Sequence, residues 1–110
     1  MRKIASNYIF LPDCPLIKNG YVVCGENGTV KVVDTGGVMK EIQGLEFYGG
    51  LIVADYVREY MTLLRESDHL LNVLEKLYVE KGGVFQRIAI IEGADLLKFV
   101  WREGASIRMI

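Results

Sequence analysis

The sequence has few histidines and cysteines and almost no net charge. Its 110 residues include one histidine, His69, and two cysteines, Cys14 and Cys24, and 13 basic side chains nearly balance 14 acidic ones. A catalytic metal site normally needs three or more converging ligands, and histidine is the commonest of them. A charge close to zero without a basic cluster leaves no electrostatic footprint for nucleic acid or an anionic membrane. We therefore expect no metal and no nucleic-acid partner.

Long apolar runs are also missing. The longest, such as 51–54 and 88–91, fall far short of the roughly 20 residues that cross a bilayer, so we expect no membrane partner. The basic N-terminus is not followed by the apolar core of a signal peptide, which favours a cytoplasmic protein. Because cytoplasmic thiols stay reduced, the two cysteines are predicted to be ordinary thiols. The length suits a single domain, 1–110.

The N-terminal segment, 1–54, has the pattern of β-structure. Short runs of β-branched and aromatic residues alternate with Gly, Asn and Pro turn signals. Asn27-Gly28 supplies the positive backbone dihedrals that a tight hairpin needs. Pro12 and Pro15 interrupt any regular ladder, so the stretch 11–19 is predicted to be a loop. The predicted strands are 3–11, 20–24, 29–35 and 46–53.

The middle segment, about 55–81, has no Gly or Pro and is predicted to be helical. Its apolar residues recur at spacings of three, four or seven, which places them on one helix face. Ser67-Asp68-His69 resembles a helix N-cap, so the segment is either one helix, about 40 Å long, or a hairpin of two. The apolar face is either core or a dimer contact surface. Its members are Val57, Tyr60, Leu64, Leu71, Leu74 and Tyr78.

The C-terminal segment, 84–110, returns to β-patterning, with predicted strands 86–92, 96–101 and 106–110. Neither terminal block has enough strands to bury a sheet face alone. The expected fold class is therefore α+β, mainly β. We expect a composite β-sandwich or half-barrel built from both chain ends, with a helix or helical hairpin inserted between them.

No residue pattern nominates a catalytic centre. The carboxylates are scattered singly, the three Gly-Gly pairs lack a phosphate-loop pattern, and Cys14 has no neighbouring histidine to activate it. His69 is interpreted as a solvated or capping residue. We predict no catalytic residue, no cofactor and no enzymatic activity.

Both β-blocks resemble the small β-domain of the amidohydrolase superfamily, in particular its chlorohydrolase, cytosine deaminase and aminodeoxyfutalosine deaminase-like members. The similar N-terminal runs are IASNYIF at 4–10, PLIKNGYVV at 15–23, GTVKVV at 28–33 and LEFYGGLIV at 45–53. The similar C-terminal runs are IIEGADL at 90–96 and SIRMI at 106–110. The resemblance covers about 80 residues and implies a composite β-domain formed by strands before and after a catalytic barrel.

The catalytic part of that family has no counterpart here. In the family the run at 45–53 leads into Pro-Gly-Phe-Val-Asn-x-His-x-His, whereas this chain continues ADYVREYMT. Tyr60 and Thr62 stand at the positions of the two metal-binding histidines, and Ala54-Asp55 replaces Pro-Gly. A barrel of about 250 residues cannot fit in a chain of 110. The resemblance implies the fold and not the activity.

The leading hypothesis is a barrel-deleted, non-catalytic relative that acts as a structural or interaction module and forms a homodimer. Two alternatives remain. One is a small-ligand-binding module that uses the aromatic residues Tyr48, Tyr56, Tyr60 and Trp101. The other is an enzyme with a site improvised from Asp55, Glu59 and His69, which the ligand count disfavours.

Overall fold

The fold is known from a computed structural model, which describes residues 1–35, 42–65 and 68–110, with the backbone alone described at 61–63. It is a small, mainly β domain, as predicted. The strands are β1 (Arg2–Ile9), β2 (Ile17–Lys18), β3 (Tyr21–Cys24), β4 (Val30–Val33), β5 (Leu45–Ala54), β6 (Ile88–Glu92) and β7 (Ser106–Met109). The helices are a 3₁₀ helix (Asp55–Leu63) and α1 (Leu70–Lys81).

All seven strands of the described chain belong to one sheet, with the order β4-β3-β1-β5-β6-β7 and with β2 paired to β1. β1 runs antiparallel to β3 and parallel to β5, while β5 and β6 are antiparallel. Strands from both ends of the chain therefore form one sheet, because β6 pairs directly with β5.

A β-bulge lies where β1 and β5 pair. The register shifts between Ser6 and Tyr8, so that Gly49 and Gly50 both stand opposite Asn7. The Asn7 side-chain oxygen accepts a hydrogen bond from the Gly50 N–H at 2.9 Å. Gly50 has a φ of 143°, and a Cβ on it would lie 2.2 Å from the Ile91 carbonyl oxygen. Only glycine allows this close approach between β5 and β6.

The core sits against both faces of the central strands. Residues 51–54 of β5 and 88–91 of β6 are all buried, although alternate residues of a strand point to opposite faces. The helices cover one face. Cys24 and Val30, from the β3–β4 hairpin, line the same cleft as Ile88 and Ile110, from the other end of the sheet. Residues from these two parts of the sheet therefore meet at one cleft.

Of the two alternatives for 55–81, one helix or two, the structure shows two. The chain forms a 3₁₀ helix first and begins α1 only at Leu70. Between them, the Asp68 carboxylate accepts a hydrogen bond from the Arg65 N–H at 2.9 Å, and the Asp68 carbonyl accepts one from the Trp101 N–H at 2.9 Å. His69 occupies the N-cap position of α1 without a side-chain cap bond. Ser67, part of the predicted cap, and Gly36-Gly37, a predicted turn, lie outside the described residues.

Two predictions need correction. The predicted loop 11–19 contains the two-residue strand β2, because Ile17 and Lys18 pair with the end of β1 beyond both prolines. The predicted strand 96–101 consists mainly of turns. The Asp95 carboxylate accepts hydrogen bonds from the N–H groups of Leu97 and Lys98, which folds the backbone back on itself. The other predicted strands are confirmed within two residues at either end.

No helix in the described ranges of the chain has both the length and the apolar character needed to cross a membrane.

Candidate functional site

An open groove of about 310 Å³ lies between the 3₁₀ helix and α1. We call it the helical groove. The side chains from the two helices differ in burial, which gives the groove an apolar floor and a partly polar rim. Its described lining consists of Val57, Tyr60, Leu64, Val73, Leu74, Lys76, Leu77 and Glu80.

The floor of the helical groove is continuous with the protein core. Val57, Leu74 and Leu77 are buried and belong to the same apolar cluster as the central strands. Tyr60 and Val73 are only half-buried and stand on opposite walls. The groove therefore presents apolar surface to solvent directly above packed side chains, so a molecule bound there would contact a surface that is already in place.

Lys81 links the two walls near the C-terminal end of α1. Its ammonium lies 4.9 Å from the centroid of the Tyr60 ring, a cation–π distance. Hydrogen bonding to Tyr60, with smaller contributions from Glu59 and Glu80, raises the pKa of Lys81. The side chain therefore stays charged over Tyr60 at neutral pH.

Tyr78 fixes the position of α1 over the sheet. Its hydroxyl donates a hydrogen bond to the Phe10 carbonyl at 2.6 Å and accepts one from the Ala54 N–H at 3.3 Å. The rings of Phe10 and Tyr56 pack beside it, at centroid distances of 5.5 and 6.0 Å. Burial raises the pKa of the Tyr78 phenol well above its usual range. The hydroxyl is therefore a structural link between α1 and the ends of β1 and β5.

The predicted contact face is divided between core and groove. Val57, Leu64, Leu74 and Tyr78 are buried in the core, and Leu71 and Tyr60 are half-buried. Four of the six line the helical groove: Val57, Tyr60, Leu64 and Leu74.

Besides Leu77, three members of the groove are absent from the predicted contact face. Val73, Lys76 and Glu80 also line the groove, from the side of α1 that faces the 3₁₀ helix. Their spacing of three and four residues was the available signal, because it places them on one helix face beside Leu77. Two of the three, Lys76 and Glu80, are charged, so the apolar pattern of the helix does not include them.

The predicted aromatic residues occupy different surroundings. Tyr48 lies on β5 near Arg2 and Arg108, with the Arg108 guanidinium 5.3 Å from its ring centroid. Tyr56 packs on Tyr78, and Tyr60 lines the helical groove. Trp101 is buried beside the start of α1. Only Tyr60 therefore belongs to the groove.

The improvised catalytic site gains no support from the geometry. Both carboxylate oxygens of Asp55 accept backbone hydrogen bonds, from the N–H groups of Tyr56 and Arg87. His69 is exposed and pairs through its backbone with Val100. In the part of the chain that the structure describes, no three His, Cys, Asp or Glu side chains lie close enough together to hold a metal ion. Cys14 and Cys24 are free thiols.

A rigid turn carries the most exposed large apolar side chain among the described residues. Leu97 is 95% exposed at its apex. Phe99 has a φ of 53°, which bulky residues rarely adopt. Its carbonyl accepts a hydrogen bond from the Leu70 N–H at 2.7 Å, and its ring packs against Tyr8 with the centroids 4.8 Å apart. These contacts hold the turn against the start of α1.

The sequence matches no protein-family model, no curated protein and no solved structure.

Proposed function

We propose that this chain is a non-catalytic interaction module that forms a homodimer through the helical groove. The observation that carries the proposal is the groove itself, which has a volume of about 310 Å³, is open to solvent and has an apolar floor backed by the core. Apolar surface that stays in water costs free energy, roughly 25 cal/mol for each Å² that a partner would bury. An apolar concavity with a polar rim is typical of a protein contact site.

The amidohydrolase resemblance supports the proposal that this module is related to the small β-domain of that superfamily. The sheet joins β1–β5 to β6–β7 from the other end of the chain, as the resemblance implies. The cleft lined by residues from both ends of the sheet supports a half-barrel in this proposal. In this proposal the helices take the place of the catalytic barrel, and Tyr60 and Thr62 replace its metal-binding histidines. The free thiols are in keeping with a cytoplasmic location.

A second candidate function is the binding of a small apolar ligand. The groove volume lies at the lower end of the range for small-molecule sites. Such a ligand would contact the same walls, so the two functions differ in whether a second protein chain covers the groove.

Light scattering coupled to size exclusion tests the proposal. We expect a mass of twice the 12.4 kDa of one chain at micromolar concentration. Val73→Glu, which places a charge on the groove wall, should give the single-chain mass. Val84→Glu is the matched control, because Val84 is 82% exposed and lies outside the groove lining. Far-UV circular dichroism checks that both variants fold.

A wild-type chain that stays at 12.4 kDa up to high micromolar concentration would overturn the dimer proposal. In that case an apolar fluorescent dye that binds wild-type protein and not Val73→Glu would favour the ligand function.

A further inference from the structure

We propose that the second copy docks with its α1 antiparallel to the first, about a two-fold axis, so that Lys76 of each chain faces the partner's Glu80. This inference rests on the proposed dimer and adds its geometry. The charges on the groove rim set the direction of docking, since the apolar floor has no directional preference.

Lys76 and Glu80 are opposite charges one helical turn apart, about 6 Å along the axis. Both are exposed and both line the helical groove. In the described part of the chain, neither forms an ion pair within 4.0 Å. Each therefore has room for a charged group of a second chain.

Apolar side chains flank this pair of charges on both sides. At 100° per residue, Val73 lies on the groove side of the Lys76–Glu80 row and Val79 on the other. Val73 is half-buried, whereas Val79 is 80% exposed. A helix laid along this face would cover both valines, and it would bring its own charges within reach at the usual 8–10 Å between helix axes.

The order of the two charges selects the direction of the partner helix. A parallel copy in register would place lysine opposite lysine and glutamate opposite glutamate. An antiparallel copy related by a two-fold axis places each lysine opposite a glutamate, and symmetry forms the pair twice. Lys76 and Glu80 thus make the face complementary to itself in one direction only.

Charge reversal tests this geometry directly. Lys76→Glu and Glu80→Lys should each weaken the dimer by about tenfold or more, because each creates two repulsive pairs. The double variant should return to within about threefold of the wild-type Kd, since its pairs are attractive again. Glu103→Lys is the matched control. It makes the same charge change as Glu80→Lys from an exposed position outside α1 and outside the groove lining, and it should leave the Kd unchanged.

A further experiment mixes Lys76→Glu with Glu80→Lys, one of which carries a purification tag. Each is weakened as a homodimer, but a mixed pair has glutamates at 76 and 80 facing lysines at 80 and 76. The untagged variant should therefore co-purify with the tagged one at least about tenfold more than with a tagged copy of itself.

Unchanged affinities in both single variants, or no preference for the mixed pair, would overturn this geometry while the dimer stands. A wild-type chain that stays monomeric would overturn both the geometry and the proposed function. Circular dichroism of each variant identifies any loss of fold, and the mixed pair restores pairing without any further substitution.

Discussion

The centre of the sheet and the helical layer above it are held together in different ways. Where β5 meets β6, backbone hydrogen bonds and the close approach at Gly50 set the geometry. In the helical layer, the 3₁₀ helix and α1 contact each other through side chains with an open groove between them. The Tyr78 hydroxyl forms a polar link from α1 to the ends of β1 and β5.

This difference indicates where the domain tolerates substitutions without losing its fold. In the sheet centre a single added carbon meets backbone, which cannot move away without breaking the ladder. On the rim of the groove, residues such as Lys76 and Glu80 can change freely because solvent surrounds them. Contact specificity is therefore expected to reside in the helical layer, and stability in the sheet.

The largest expected effect is at the bulge in the sheet. Gly50→Ala adds a Cβ 2.2 Å from the Ile91 carbonyl oxygen at a positive φ, so we expect a loss of about 3 kcal/mol or more in unfolding free energy. Gly49→Ala is the control, since its Cβ would meet only the Asn7 side chain at 3.8 Å. Urea unfolding measures both. Equal losses in the two variants would contradict the close approach.

A somewhat smaller loss is expected from the side of α1 that faces the core. Leu74→Ala opens a cavity beneath the groove and should cost about 3 kcal/mol, since Leu74 is completely buried. Val79→Ala, on the opposite side of the same helix, should cost less than about 0.5 kcal/mol. Chemical unfolding of the pair at a concentration where both are monomeric separates packing from association. A small effect of Leu74→Ala would mean that α1 packs loosely on the sheet.

The polar link between the two regions is testable by removing one atom. Tyr78→Phe leaves the Phe10 carbonyl and the Ala54 N–H without this partner, which should cost about 1–2 kcal/mol. Tyr56→Phe removes a longer and exposed hydrogen bond to the Gly82 carbonyl, at 3.4 Å, and should cost much less. Thermal unfolding of both variants measures the difference. If both lose equally, the Tyr78 hydroxyl is not a specific link.

The smallest expected effect depends on pH and lies in the turn beside α1. The Lys98 and Leu97 N–H groups lower the pKa of the Asp95 carboxyl in the folded protein. The folded pKa therefore lies below the unfolded value of about 3.9. The ionised Asp95 carboxylate contributes its full stabilisation of the fold at pH values above that unfolded pKa. This stabilisation is lost as pH falls through the lowered folded pKa. Asp95→Asn should therefore lower the Tm by a few degrees at pH 6, and the difference from wild type should shrink below about pH 4.

Glu103→Gln is the control for the Asp95 prediction, since Glu103 is exposed beyond the turn. A difference between wild type and Asp95→Asn that stays constant from pH 6 to the lowest pH tested would contradict the role of the charge.

Most strands were predictable because their signals are local. Asn27-Gly28 marks the hairpin between β3 and β4, and Gly28 has the expected positive φ of 77°. The strand expected over 96–101 failed for a reason outside its own pattern. Its apolar residues suit a strand, but Asp95 binds the next N–H groups and Phe99 is held by Leu70 and Tyr8.

The candidate site was only partly predictable. Helical spacing identified Val57, Tyr60, Leu64 and Leu74, because core-facing residues repeat along a helix. It could not say which of these would face solvent, since that depends on how far apart the two helices lie. Helical spacing of apolar residues also did not identify Lys76 and Glu80, because these residues are charged and belong to the site through their place on the groove rim.

The sequence by itself determined the mainly β character of this protein, the position of its helical segment and the apolar face of that segment. Those properties follow from residue periodicity and turn chemistry, which act over a few residues. The local pattern at Ser67-Asp68-His69 left open whether this segment is one helix or two. Only the tertiary structure decided that it divides, that its first part is a 3₁₀ helix, and that a groove separates this helix from α1. These outcomes depend on bonds between residues distant in sequence, such as Asp68 with Trp101 and Tyr78 with Phe10.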